Sequence, residues 1–240
     1  MSRMKCLAGA AVFSLLASAA SASTLSLTYQ GATSAGDEKN VTIQAAPVVY
    51  PGSGNWPKTV GAWGFNMSDS TGGLGNFIAW CLDVGSFLST SSSNAAPYSV
   101  TSTPFSNSYG LSTAEQGRVQ SLFDANYHSI DITSGNQAAG FQLALWDALY
   151  DGDGDVSAGT FRATASTAIV NFANNFFGAA TSYSGGKQFN LTFLESEGTS
   201  SNGKYQNLVT VSPVPIPAAG ALLLLALGGL GLVGRRLKRS

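Results

Sequence analysis

The sequence predicts an α+β fold: a single β-rich domain in which strands, a helical insertion and strands follow in order, with a C-terminal transmembrane helix behind it. Three observations predict it. Four early stretches are rich in β-branched and aromatic residues and are bounded by Gly, Pro, Asn and Ser. Two later stretches carry apolar residues at helical spacing, and strand composition then returns towards the end. No internal repeat is visible in the 240 residues.

Residues 1–22 come first, with a basic start at Arg3 and Lys5, an apolar run over 7–19 and the small triplet Ala20-Ser21-Ala22. This pattern is that of a secretory signal peptide and is set aside from the fold. Cys6 lies inside it without a lipobox before it, so the mature chain is expected to keep one cysteine, Cys81. The domain expected over 23–212 has about 190 residues, enough for one core and short of two.

Within that domain, strands are expected over 25–30, 41–50, 59–67 and 76–84. The stretch 86–112 is dominated by Ser and Thr with Pro97 and Pro104, and reads as a long surface loop or short extended pieces. Ser112-Thr113-Ala114-Glu115 is a capping box, in which serine hydroxyl and glutamate satisfy orphan amides at a helix start. The helix it opens is expected to reach about Tyr127. A second helix is expected over 137–150, where Ala138, Phe141, Leu145 and Leu149 recur at three- and four-residue spacing and Gln142 falls on the edge of the stripe. A third is expected over about 162–177, followed by strands over 188–194 and 205–211.

Charge narrows the function. Of 12 basic residues, six (Arg3, Lys5, Arg235, Arg236, Lys238, Arg239) lie in the two ends, leaving 12 − 6 = 6 against 13 acidic ones, a domain net charge of 6 − 13 = −7. Such a surface cannot replace the counterions of a phosphate backbone, so no nucleic-acid partner is expected. No cofactor is expected either.

Residues 213–240 form the tail. The run 218–234 is almost wholly Ala, Leu and Gly and is followed by a basic cluster, which places it at the lower edge of the roughly 17–25 residues that span a bilayer. The basic end is expected to stay inside, leaving the domain outside. Val214-Pro215-Ile216-Pro217-Ala218 precedes the run. Proline before a weak span with a short basic end resembles the PEP-CTERM sorting tails, especially their VPLPA variety, with Ile216 in place of the usual leucine or glutamate. The resemblance covers about the last 27 residues. It implies an exosortase-type protease as partner, transient anchoring through the membrane helix, and delivery to the cell surface or extracellular matrix of a Gram-negative bacterium.

Cys81 and Gln142 carry the chemistry. An unpaired cysteine in an exported protein is either buried and inert or reactive. A glutamine on the apolar side of a helix must be hydrogen-bonded or cost about 1–3 kcal/mol. If the Cys81 sulfur met the Gln142 carboxamide, attack with loss of ammonia would give an internal thioester, shielded from water by apolar walls such as Trp80, Phe141 and Trp146. The run Trp80-Cys81-Leu82-Asp83, and the run from Phe141 and Gln142 through Ala144 to Trp146, resemble the two signatures of the thioester (TQXA) domains of bacterial surface proteins, with Phe141 where threonine is usual. Order and separation, 61 positions with the strand cysteine before the helix glutamine, also suit that family. The resemblance implies a Cys81–Gln142 thioester in a pocket made by Trp80, Asp83, Phe141, Ala144 and Trp146. It also implies one-time capture of an amine-bearing surface or matrix target, as adhesion and not as a turnover enzyme. The alternative is a non-covalent structural or carbohydrate-binding matrix protein in which both residues only pack, with Trp56 or Trp63 as a stacking surface for sugars.

His128, the single histidine, is a candidate proton carrier near neutral pH. A Cys-His hydrolase would need it beside Cys81. Asp151, Asp153 and Asp155 alternate as calcium ligands do, and Asp147 could join them. The EF-hand pattern fails, with Val156 where glycine is needed and Arg162 where glutamate is needed, so a polar turn is the expected structure.

Overall fold

Inward and outward residues alternate along β1 (Thr24–Ala32), where Leu25 and Leu27 are buried, and along β4 (Phe65–Asp69), where Phe65, Met67 and Asp69 are. Period-two burial of this kind is what one face of a sheet turned to a core requires. In the computed structural model, which describes residues 24–214 apart from 53, 92–93, 102–109 and 201–202, these strands belong to a closed barrel. Its other members are β5 (Asn76–Cys81), β6 (Ala96–Thr101), β8 (Phe189–Ser196) and β11 (Leu208–Pro213). The order around the barrel is β1-β4-β5-β11-β8-β6, and every pairing is antiparallel. Closure leaves no open edge. A second sheet of three strands joins β3 (Lys58–Gly61), β2 (Asn40–Ala45) and β7 (Arg162–Thr164), and β9 (Thr199–Ser200) pairs with β10 (Gly203–Lys204).

Among the described residues, three helices pack against one another beside the barrel. In α1 (Thr113–Asn126) both arms of the capping box form: Glu115 N–H donates to Ser112 Oγ at 3.3 Å and Ser112 N–H to Glu115 Oε2 at 2.5 Å. Helix α2 (Gly135–Tyr150) is buried at every position from Ala138 to Tyr150, as expected of a helix apolar all round. Helix α3 (Thr167–Thr181) buries only Ile169, Ala173, Phe177 and Ala180, an amphipathic stripe. Barrel and helices meet through rings: Trp80 of β5 lies 4.8 Å from Phe141 of α2, and Phe141 in turn touches Phe123 of α1 and Phe176 of α3.

Several expected boundaries move. The strand expected over 59–67 is two strands in different sheets, broken where Ala62 to Gly64 passes under aromatic rings: a Cβ at Gly61 would lie 2.3 Å from Trp63, and one at Gly64 3.1 Å from Trp80. The strand over 41–50 ends at Ala45, and the one over 76–84 ends at Cys81. Part of the Ser/Thr-rich stretch is β6, a full barrel strand. The third helix starts at Thr167 after Ser166, whose hydroxyl accepts from Ile169 N–H, because Arg162 to Thr164 pair with β2 instead. The signal peptide, most of the sorting motif (Pro215, Ile216, Pro217, Ala218) and the membrane segment lie outside the described residues, among which no helix is long and apolar enough to cross a membrane.

Candidate functional site

Cys81 is the last residue of β5 and faces Leu208 across the ladder to β11. On the other side, β4 pairs with β5 only as far as Ala79. Leu82 N–H is used by Asn207 C=O on the β11 side, so strand alternation turns the backbone groups of Cys81 towards the side β4 has left. Gln142, in the second turn of α2, fills that place. Its Oε1 accepts from Cys81 N–H at 3.0 Å and its Nε2 donates to Cys81 C=O at 2.7 Å. The facing groups fix which end of the carboxamide is oxygen. Both residues are 1% exposed.

The same face of α2 continues along the chain after Cys81. One turn on from Gln142, the Trp146 indole N–H approaches the Cys81 sulfur, yet it completes no hydrogen bond of normal geometry among the described residues. Tyr150, a turn further, accepts from Val84 N–H at 3.1 Å and donates to Leu82 C=O at 3.2 Å. Residues 142, 146 and 150 therefore grip the segment 81–84 at i, i+4 and i+8. Tyr150 is absent from the sequence-based site; its spacing from Gln142 was the signal that could have found it.

Asp83 closes the turn beyond, accepting from Gly85 N–H at 3.0 Å and Ser86 Oγ at 2.9 Å. Burial, and then the Asp83 carboxylate, push the Cys81 thiol well above its ordinary range, against the Trp146 and Asp83 N–H groups that favour the thiolate. Trp80 and Phe141 form the wall on the neighbouring face, with Trp80 Nε1 donating to Tyr127 Oη at 3.3 Å, and Ala144 is fully buried in α2. Trp80, Asp83, Phe141 and Trp146 are thus brought together around Cys81 and Gln142, whereas Ala144, two residues on from Gln142, is buried on another face of α2.

The other candidates do not join them. His128 is exposed in the turn after α1 and is not among the groups acting on the Cys81 thiol, so neither a proton carrier nor a Cys-His pair is assembled there. Asp151, Asp153 and Asp155 organise their own turn: Asp151 Oδ2 accepts from Thr160 and Phe161 N–H, Asp153 Oδ1 from Asp155 N–H, and Asp155 Oδ1 from Ser157 N–H. Among the described residues, no group of three or more His, Cys, Asp or Glu side chains is placed to hold a metal ion. Asp147 beneath them is fully buried, accepts from Gly154 N–H through Oδ2, and has no partner at Oδ1 among the described residues. Burial first, and then Asp153, push its carboxyl up to about 7. Trp56 and Trp63 are both half-buried, and Trp56 Nε1 donates to Val48 C=O.

No family model and no curated protein matches the chain. Solved structures do. The N-terminal thioester domain of a surface protein from Clostridium perfringens is similar over 73% of this chain and all of that domain, at 12% identity and a TM-score of 0.43. A cysteine-to-alanine mutant of that domain is similar over the same share at 14% identity. The N-terminal domain of the Streptococcus pyogenes pilus tip adhesin Cpa is similar over 75% of this chain and 95% of that one, at 14% identity and a TM-score of 0.36.

Proposed function

We propose that Cys81 and Gln142 form an internal thioester and that the domain uses it once, to attach covalently to an amine on a surface or matrix partner. The observation that carries this reading is the seating of the Gln142 carboxamide on both backbone groups of Cys81, in a site closed to water. The motif resemblance of Trp80 to Asp83 and of Phe141 to Trp146 points the same way.

In the forming step, Cys81 Sγ bonds to Gln142 Cδ, the C–N bond breaks, and the thiol proton leaves with Nε2 as ammonia. Oxygen Oε1 gains negative charge while it already faces Cys81 N–H, the position of an oxyanion donor. Removing one such donor costs roughly 3–4 kcal/mol of barrier in acyl transfer. In the capturing step, a primary amine bonds to the same carbon, the C–S bond breaks, and the amine proton ends on the Cys81 sulfur. The product is an amide and a free thiol. No turnover follows, since nothing restores the thioester.

Methylamine treatment tests it. The adduct should map to Gln142, release one thiol per molecule, and vanish in Cys81→Ala and Gln142→Ala. An unmodified Gln142 with no thiol release would sink the proposal. One observation favours a second reading, a non-covalent matrix protein: both polar ends of Gln142 are already satisfied by backbone, as a purely structural glutamine requires.

The tail belongs to the same proposal. Val214, the first residue of the sorting motif, is tied to the domain by its N–H to Gln188 C=O at 2.9 Å, immediately after β11 ends. Cleavage by an exosortase-type protease beyond that point would leave the barrel whole, and the C-terminal mass of surface-released protein reports whether it occurs. A released chain that keeps its basic C-terminus would argue against the sorting reading.

A further inference from the structure

The chain holds three Asn-x-Ser/Thr triplets: Asn40-Val41-Thr42, Asn66-Met67-Ser68 and Asn190-Leu191-Thr192. Such a triplet is the acceptor pattern for N-linked sugar in an exported chain, and it serves only where the asparagine reaches solvent. The fold separates the three. Asn66 is half-buried in the barrel wall, and its Nδ2 donates to Ala32 C=O at 3.0 Å. Asn190 is half-buried in β8, paired in register with Ser212 of β11. Asn40 alone is exposed, and its carboxamide has no hydrogen-bond partner among the described residues.

Asn40 opens β2, immediately after the exposed segment 35–38. On one side it pairs with Gly61 of β3, whereas β7 joins β2 only from Thr42 onwards, so its other flank is open. Asn40 and Thr42 share the outer face of the strand, because Val41 between them is buried. Glu38, two positions before Asn40, is exposed as well, while Gly64 and Gln188 hold the same place in the other two triplets. The outer face also carries a ring. Residues opposite one another across a ladder point the same way, and over Gly61 lies the half-buried Trp63, within 2.3 Å of where a Cβ would stand. A sugar on Asn40 therefore comes to rest beside an indole face that can pack against its C–H groups.

We propose that Asn40 is a glycosylation site, modified during export by an oligosaccharyltransferase that uses a polyprenyl-diphosphate-linked oligosaccharide. Asn40 Nδ2 bonds to the anomeric carbon, the bond from that carbon to the diphosphate oxygen breaks, and one amide proton leaves with the polyprenyl diphosphate. The Thr42 hydroxyl completes the acceptor triplet, and the Glu38 carboxylate gives cationic groups of the transferase an anchor. In the folded domain Thr42 Oγ1 shares a hydrogen bond with Thr59 Oγ1 at 3.1 Å, so the transfer belongs to the stage before β2 pairs with β3. The glycan then leaves the fold intact, since Asn40 projects from it. Neither the transfer nor its site involves Cys81 or Gln142.

Peptide mass spectrometry of the full chain, produced in its native cell and recovered after export, tests this. Sugar increments are expected on the peptide carrying Asn40 and on neither of those carrying Asn66 and Asn190. They should be lost in Asn40→Gln and in Thr42→Val, kept in Thr42→Ser, and mostly lost in Glu38→Gln. Asn40→Gln changes an exposed side chain and should melt as the parent does without its sugar, which separates loss of glycan from loss of fold. A bare Asn40 on chains that have lost residues 1–22 overturns the proposal, as does sugar on Asn66 or Asn190 in its place. Chains that never lose residues 1–22 overturn it too, because the transfer takes place outside the membrane.

Discussion

Two backbone groups of Cys81 depend on one side chain. In a Cys81→Ala background, where no thioester forms and the carboxamide stays whole, replacing Gln142 by alanine strands a buried N–H and a buried C=O, each costing about 1–3 kcal/mol, so a loss of roughly 2–6 kcal/mol is expected in urea denaturation. A loss under about 1 kcal/mol would show that the bonds do not form. Asp147 supplies a second residue-scale test. Its carboxyl is held at about 7 against a usual 3.8 by burial and then by Asp153. The folded state therefore binds a proton that the unfolded chain has given up. That stabilisation is complete below about pH 4 and is lost as pH rises through 7, on the order of 4 kcal/mol in all. Asp147→Asn should flatten the fall in stability between about pH 4 and 7 in thermal melts; an unchanged slope would place the effect elsewhere.

At the scale of elements, the joint between barrel and helices is Trp80 against Phe141. Trp80→Ala should cost about 3–5 kcal/mol. It should also open the site to water, so iodoacetamide labelling of Cys81 is expected to rise in folded protein. The capping box of α1 is worth about 1 kcal/mol, and Ser112→Ala should lower the denaturation midpoint accordingly without altering labelling of Cys81. These elements differ in how readable they were. Local chemistry announces α1 through Ser112 and Glu115, and the spacing of Phe141, Leu145 and Leu149 announces α2. Nothing local announces β6, since Ala96 and Tyr98 are buried only because the barrel closes on them through β1 and β8. The break at Gly61 to Gly64 combines a local ring, Trp63 against Gly61, with one that only the folded chain supplies, Trp80 against Gly64.

For the whole molecule, the pair Cys81 and Gln142 was legible because each stands in a short signature, and the end of the β4–β5 pairing at Ala79 of β5 explains why they meet. A cleft of about 270 Å³ lined by Trp146 was not legible, because its other walls come from β1, Tyr50, β3, Trp63, β4 and the 82–90 segment, which only the folded chain brings together. Whole-molecule charge makes its own prediction. With a domain charge of −7, capture of a cationic amine should slow as salt rises and the Debye length falls from roughly 30 Å at 0.01 M to about 8 Å at 0.15 M. Hydrolysis by water, being neutral, should not slow. Equal salt dependence of the two would remove the electrostatic contribution.

Intact mass spectrometry of the freshly purified, exported domain tests the central claim most directly. A mass one ammonia below that of the sequence, restored to the sequence value in Cys81→Ala after allowing for the substitution, is the predicted result. A full mass with an alkylatable thiol once the protein is unfolded would contradict the thioester and leave Gln142 as a structural partner of the Cys81 backbone.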